Sequence, residues 1–450
     1  MSSVYRPDYP RHWIACDGGG DVSPVRPSAP VESTAPPTRE SAGGVTRRGL
    51  LVGASMASLA WAARGSALAG FSVSPTAPKH VLVVVFLRGG ADGLNFLVPT
   101  FEDRYYKVRP NIAVPARETL KLDDRFGLHP AFQSLEPWRD RGQLLGIHAV
   151  GSFDHSRSHF EAMSAMERGL ATDGAGPASG WLGRYLGATH QDGDTPLRAV
   201  AFGGIMPDAM RGGMNAVAVD RISDFRLELD GAERAELVRQ LTEMCADGKD
   251  AASEAGRDTL RVLKSIQQLE RGENQPANGA KYPETGLGVG FRETAMLIRA
   301  GIGMEVAFLN MGGWDTHVAQ GSTTGWMSGL LSELAEGLTA FGTDLGPDLA
   351  NVTVIVKSEF GRRIYENGGL GTDHGRAGAM LVMGGGLAKR GVYADWPGLD
   401  PDQLDGPGDL RVTTDYRDVL AEVLTARHRL KSPTDVFPGH PGKRLGIFQG

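Results

Sequence analysis

The run Val81-Leu82-Val83-Val84-Val85-Phe86-Leu87 contains no polar residue. Its length and its β-branched and aromatic content fit a strand, and the absence of alternation means that both faces are covered. A strand buried on both sides belongs inside a parallel sheet with helices on either face, so this one run restricts the whole chain to an α/β design. The rest of the sequence agrees. Residues 144–150, 197–202, 216–219, 305–309, 352–356 and 379–383 are further apolar runs of strand length. Helical spacing appears from Phe160, over residues 232–271, 291–300 and 326–341, and in a helix capped by Asp415 that runs to about residue 429. Strands alternating with helices predict a mostly parallel sheet flanked by helices.

Ligands in such sheets bind beyond the carboxyl ends of the strands. Polar side chains collect there. Asp92 follows the first strand. Asp154, His155, Ser156, Ser158 and His159 follow the second. Asp315 and His317 follow the central strand, Glu359 the next, and Asp373 and His374 lie in a glycine-rich loop before the last. Each has an ordinary reading when taken singly. Asp92 beside glycines is a turn residue, Asp315-Thr316-His317 an N-cap with a surface histidine, and Asp373-His374 turn chemistry. Glu359 pairs with Arg362 or Arg363, and Ser156 and Ser158 cap a helix. Taken together, carboxylates and imidazoles at four separate strand ends supply the donors that divalent metals take. Gly286-Leu287-Gly288-Val289-Gly290 imitates a phosphate-binding loop but follows no strand, and reads as a linker. Arg104, Tyr105, Tyr106 and Arg109 fit a substrate groove or a solvated loop equally well.

The net charge of -6, without a lysine or arginine stripe, gives no footing for nucleic acid. Residues 1–44, rich in Pro, Ser and Gly, read as a disordered extension. Thr46-Arg47-Arg48-Gly49-Leu50-Leu51, a short apolar stretch to Ala63 and the small-residue end Ala67-Leu68-Ala69 have the layout of an export signal. The paired arginines specify the twin-arginine route, with Val45 as an alternative start. The expected partner is therefore the twin-arginine translocation machinery, and the destination is the periplasm or the exterior. Removal of residues 45–69 leaves 70–450 as one domain with a helical insertion near 231–300. Of the two cysteines, Cys16 and Cys245, only the second remains, so no intramolecular disulfide is expected. No later apolar run reaches the ~18–20 residues of a membrane span.

Five motifs carry a resemblance over nearly all of the mature chain: Phe86-Leu87-Arg88-Gly89-Gly90-Ala91-Asp92-Gly93, Ser156-Arg157-Ser158-His159-Phe160, Gly313-Trp314-Asp315-Thr316-His317, Ser358-Glu359-Phe360-Gly361-Arg362 and Asp373-His374-Gly375. In these the chain resembles a bacterial domain-of-unknown-function family, number 1501, placed within the alkaline phosphatase and sulfatase superfamily. The resemblance implies a doubly wound sheet with a metal site, typically of two divalent ions, at its carboxyl edge. Position by position, Asp92 and Glu359 resemble ligands of one metal site, with His159 or His155 as a substitute histidine. Asp315, His317 and His374 resemble the other site, beside Asp373. Ser158 or Ser156 occupies the nucleophile region, and Arg157 or Arg376 is placed to clamp oxyanion oxygens.

There are departures from the pattern. Phe360 stands where superfamily members usually carry a histidine, the Asp315-to-His317 spacing is short, and no Cys-x-Pro/Ser-x-Arg sulfatase sequence is present. The expected activity is metal-dependent hydrolysis of a small anionic phosphate ester, with sulfate esters less favoured. The alternative is an exported, non-catalytic binding or scaffold protein that keeps the fold. Zn, Mn, Mg, Ca and Fe are all compatible with the donor types. No cysteine cluster or full dinucleotide loop supports a redox enzyme.

Overall fold

The computed structural model describes residues 80–449, apart from 173, 175, 192, 193, 196, 214, 223–230, 247–252, 254, 255, 258, 259 and 261–274. The twin-arginine stretch and the extension before it lie outside the described residues. So does much of the expected 232–271 helix, of which Gly231–Ala246 is seen. The strands are β1 Val81–Leu87, β2 Leu97–Pro99, β3 Leu120–Lys121, β4 Phe126–Leu128, β5 Leu144–Gly151, β6 Ala199–Phe202 and β7 Ala216–Val219. They continue as β8 Val306–Met311, β9 Val352–Ser358, β10 Arg362–Glu366, β11 Thr372–His374, β12 Gly378–Gly384, β13 Gly391–Tyr393 and β14 Thr414–Asp415.

The main sheet has the order β13-β5-β12-β9-β1-β8-β6-β7, with β14 also paired to β5. Its pairings are parallel except those of β12, which runs against both β5 and β9. A parallel return needs a crossover long enough to carry the chain back to the opposite edge. After β9 the chain makes only the β10–β11 hairpin at the carboxyl edge, so β12 has to start from that edge. β2, β4 and β3 form a small separate sheet. The expected α/β class therefore holds, and the strands read at 81–87 and 216–219 are found at those residues.

All seven residues of β1 are buried. Val81, Val83, Val85 and Leu87 join one core cluster with Phe291, Leu334 and Phe341, from the helices Gly286–Arg299 and Trp326–Leu345. Leu82, Val84 and Phe86 join the other with Leu182, Leu186, Val419 and Leu420, from the helices Trp181–Ala188 and Tyr416–Arg427. The alternation of side chains along the strand sends successive residues to opposite layers, which is why neither face tolerates a polar residue. Asp415 caps its helix as expected, accepting from Arg417 N–H.

The glycine run at 286–290 is not a linker. It forms the first turns of the Gly286–Arg299 helix, with Thr285 accepting from Gly288 N–H at 3.2 Å. A Cβ on Gly288 would meet the Pro283 carbonyl oxygen at 2.0 Å, and one on Gly290 would meet Leu309 at 2.9 Å. These glycines let a helix lie close to its neighbours.

Candidate metal centre

β8 and β9 end level with β1, because Leu87 pairs with Met311 on one side and Ser358 on the other. The segments after these strands therefore emerge side by side. The end of β5 and the start of antiparallel β12 reach the same edge, since Val150 pairs with Gly378. That topology brings together residues separated by more than two hundred positions. Close approach is built in at Gly89, whose φ is +121° and whose Cβ would lie 2.6 Å from Asp315 N.

Three imidazoles surround one carboxylate oxygen. Asp315 Oδ1 lies 3.0 Å from His317 Nε2, 3.1 Å from His374 Nε2 and 3.5 Å from His159 Nε2. The Nε2 atoms of His317 and His374 are 2.9 Å apart. The opposite nitrogen of each ring faces an outer oxygen. His159 Nδ1 is 2.8 Å from Glu359 Oε1, His374 Nδ1 is 2.9 Å from the Arg157 carbonyl, and His317 Nδ1 is 3.5 Å from Asp373 Oδ1.

A neutral imidazole has one N–H and one lone pair. Both nitrogens of each ring face oxygens, and the Nε2 atoms of His317 and His374 also face each other, where one ring can donate and the other accept. Protonating every ring is opposed, because His317 and His374 would then direct two N–H groups at each other. A cation at the point of convergence is a second arrangement that gives every one of these atoms a partner. The outer oxygens then accept Nδ1–H, and the Nε2 lone pairs all face inward, the arrangement by which outer partners orient metal-bound histidines. His159 Nε2 is buried with no hydrogen-bond partner. The separations of 2.9–3.5 Å match the edge of a coordination polyhedron with ligand distances of roughly 2.0–2.2 Å. The residues present fit a metal ion, and His159, Asp315 and His374 form the metal-ligand group found among the described residues.

Arg362 holds the rim in place. Its buried guanidinium donates to Asp315 Oδ1 at 2.6 Å, Gly90 O at 2.6 Å, Thr372 O at 2.9 Å and Trp314 O at 3.2 Å. It thus ties together the segments after β1 and β8 with strand β11. Burial would raise the Asp315 carboxyl, but the hydrogen bond and charge of Arg362, with His374 and His317, hold it down to about 2. The hydrogen bond to Glu359 raises His159, against the effect of burial. His374 is lowered, chiefly by burial. Glu359 is also lowered: burial opposes this, and His159 and the Gly89 N–H outweigh it.

The expected residues divide into those in the cluster and those outside it. Asp315, His374 and His159 form the ligand group, with His317 next to Asp315 and His374. Glu359 and Asp373 stand one layer out and face ring nitrogens rather than the centre. Asp92 is not in the cluster. Its two oxygens take Arg109 Nη1 at 2.5 Å and Nη2 at 3.0 Å, and also accept from Gln320 and Leu94 N–H. Arg109 is correspondingly buried, and so is Tyr105, so neither belongs to a solvated loop, while Arg109 and Tyr106 border a surface groove with Pro110 and Pro115.

Arg157 does not point its guanidinium at the centre. It pairs with Asp409, and only its carbonyl reaches the site, through His374. Arg376 is likewise held by Asp405. Ser158 is the N-cap of the His159–Glu167 helix but makes no side-chain cap bond, while Ser156 Oγ accepts from Ser158 N–H at 3.3 Å. His155 is exposed. Phe360 packs its ring against His159 and His374, with centroids 4.8 and 5.0 Å apart, and forms an apolar wall where a ligand was expected from the superfamily pattern. Arg362 was read only as a partner for Glu359. The signal that it does more was its place three residues after the strand-end acid Glu359 and directly after Gly361.

A family model matches residues 79–435 under the description "protein of unknown function (DUF1501)". No curated protein matches the chain in sequence. Solved structures similar to it include a protein in the alkaline phosphatase superfamily from Vibrio parahaemolyticus, 9% identical over 88% of this chain and 79% of that one, with a TM-score of 0.31. Alkaline phosphatase from the Antarctic bacterium TAB5 is 13% identical over 68% of this chain and 91% of that one, with a TM-score of 0.26. A histidine-to-glutamate variant of the TAB5 enzyme, with Mg bound in its M3 site, is 14% identical over 69% and 91%, with a TM-score of 0.25. At these scores the likeness says nothing about the site. The family match covers most of the sequence, and the chain belongs to the family of proteins of unknown function DUF1501.

Proposed function

We propose that the chain holds one transition-metal ion on His159, His317, His374 and Asp315, and that it hydrolyses phosphate esters there. The observation that carries this is the orientation of the three rings, each with Nδ1 against an outer oxygen and Nε2 toward Asp315. Three imidazoles with one carboxylate favour Zn or a neighbouring first-row ion over Mg and Ca, which take oxygen. A single ion is proposed because Arg109 supplies the positive charge beside Asp92. When bound, the ion supplies Lewis-acid polarisation of an ester oxygen and a lowered pKa for a hydroxyl group or water beside it.

The chain's own groups do the rest. Glu359 and Asp373 fix two rings, and the Arg157 carbonyl fixes the third. Arg362 keeps Asp315 ionised, and Phe360 excludes water from one side. Ser158 is the proposed nucleophile, since it directly precedes His159 and its hydroxyl is not spent on capping. Neither Arg157 nor Arg376 clamps the substrate unless its carboxylate partner releases it.

Elemental analysis of chelator-free protein tests the centre, with near-stoichiometric metal expected in the wild type and loss in Asp315→Ala/His374→Ala. A folded wild type without metal ends this reading. Turnover of an aryl phosphate above the corresponding sulfate is expected, and unchanged turnover in Ser158→Ala removes the nucleophile. A fully loaded protein without turnover assigns the centre to a binding scaffold.

We also infer export by the twin-arginine route, on the strength of Arg47, Arg48 and the Ala67-Leu68-Ala69 end. Among the described residues no helix is long and apolar enough to cross a membrane. An exported protein should begin near Gly70, and an unprocessed N-terminus on exported protein refutes the cleavage.

A further inference from the structure

Nine large apolar side chains stand exposed among the described residues. Three of them, Phe160, Val318 and Leu370, lie within four positions of a histidine of the centre. Single exposed apolar residues are ordinary, but several beside one polar centre mark a binding surface. The clearest three sit beside the centre in the chain. Phe160 follows His159 and is 85% exposed, Val318 follows His317 and is 71% exposed, and Leu370 precedes Asp373 and is 49% exposed. The Leu370 segment lies along the Val318 segment, since Ala319 N–H donates to Gly369 O at 2.8 Å and Gln320 N–H to Leu370 O at 2.9 Å.

Leu370 is the most telling of them. It sits in Gly368-Gly369-Leu370-Gly371 with φ of 58°, a left-handed conformation that strains any side chain. Only about half of the side chain is buried in return for that strain, and glycine would adopt the turn without it. A strained residue that the fold itself does not need points to a use outside the fold.

We propose that this collar receives the apolar part of an amphiphilic anion whose charged head sits at the metal centre. The substrate class is then a phosphate ester of an apolar alcohol, with Leu370, Val318 and Phe160 as specificity-determining residues. This rests on the centre described under Proposed function. Hydrolysis adds water across the phosphorus–oxygen bond and releases the alcohol and inorganic phosphate. Phe160 and Val318 each adjoin a histidine of the centre in the chain and Leu370 lies four positions before His374, which is the basis for engaging head and tail together.

The test compares methylphosphonate with decylphosphonate, neither of which is hydrolysed, by calorimetry on metal-loaded protein at monomeric concentrations. The decyl probe should bind at least about tenfold tighter, as each buried methylene favours binding. Leu370→Gly, which relieves the strain, and Val318→Ser/Phe160→Ser should lose this preference while metal content and methylphosphonate affinity hold. Equal affinities in the wild type, or an unchanged preference in the variants, overturn the collar and leave the centre standing. If no metal is bound, the centre fails instead, and binding of uncharged decyl maltoside that is lost in the variants still supports the apolar subsite. Pelleting with neutral phospholipid vesicles, without any chain-length preference, assigns the edge to a membrane surface and overturns the proposal.

Discussion

His428 shows how much one side chain outside the centre determines. It is buried, and neither ring nitrogen has a hydrogen-bond partner. Burial pushes its pKa down to about 3, helped by His80, Arg427 and Arg429. The folded ring stays neutral where the unfolded ring, with an ordinary value near 6.5, takes a proton. The unfolded state therefore binds more protons between about pH 3 and 6.5, and stability falls as pH drops through that window. His148, also held down to about 3 by burial, acts in the same direction. His428→Leu is expected to reduce the slope of unfolding free energy against pH by about 1.4 kcal/mol per unit between pH 4 and 6. Urea titrations across that range check it, and an unchanged slope means that the ring is protonated in the fold. At this scale the sequence displayed the acids and imidazoles of the centre but not their ranks. Asp92 and Asp315 look alike in a list of strand-end acids, and only the position of Arg109 separates them.

Helix and loop chemistry separate in the Gly286–Arg299 helix. Alanine normally stabilises a helix relative to glycine by up to about 1 kcal/mol. At Gly286 nothing lies within 4 Å of the added methyl, so Gly286→Ala should stabilise by about 0.5–1 kcal/mol. At Gly288 the methyl would collide with the Pro283 carbonyl, so Gly288→Ala should destabilise despite the better propensity. Thermal midpoints moving in opposite directions confirm this, and two shifts of the same sign refute it. The pattern Gly-x-Gly-x-Gly looked like a linker because glycine spacing carries no record of what packs against it. For β1 the local pattern was enough, because an unbroken apolar run of this length has few places other than a strand covered on both faces.

Across the whole molecule, Arg109 joins distant parts. Besides Asp92 it donates to Asn95 Oδ1 at 2.8 Å, Ile364 O at 2.8 Å and Arg363 O at 2.9 Å, linking the segment after β1 to β10. Both side chains of the pair are fully buried. Arg109→Ala leaves a buried carboxylate without its cation and should cost about 3–5 kcal/mol. Replacing both partners, as Asp92→Leu/Arg109→Met, should cost clearly less, because no charge is left uncompensated. Denaturant unfolding of the three variants decides it, and equal losses in single and double variants contradict the ion-pair account.

The sequence by itself determined the layered α/β class, the positions of most long elements and the edge at which polar side chains would gather. Those properties follow from local hydrophobic pattern and from the rule that strand ends carry function. Only the tertiary structure decided which of those side chains share a centre. That choice depends on strand order, on β12 running against its neighbours and on Arg362 drawing three segments onto Asp315. These are contacts between residues far apart in the chain, and the intervening sequence does not encode their distance.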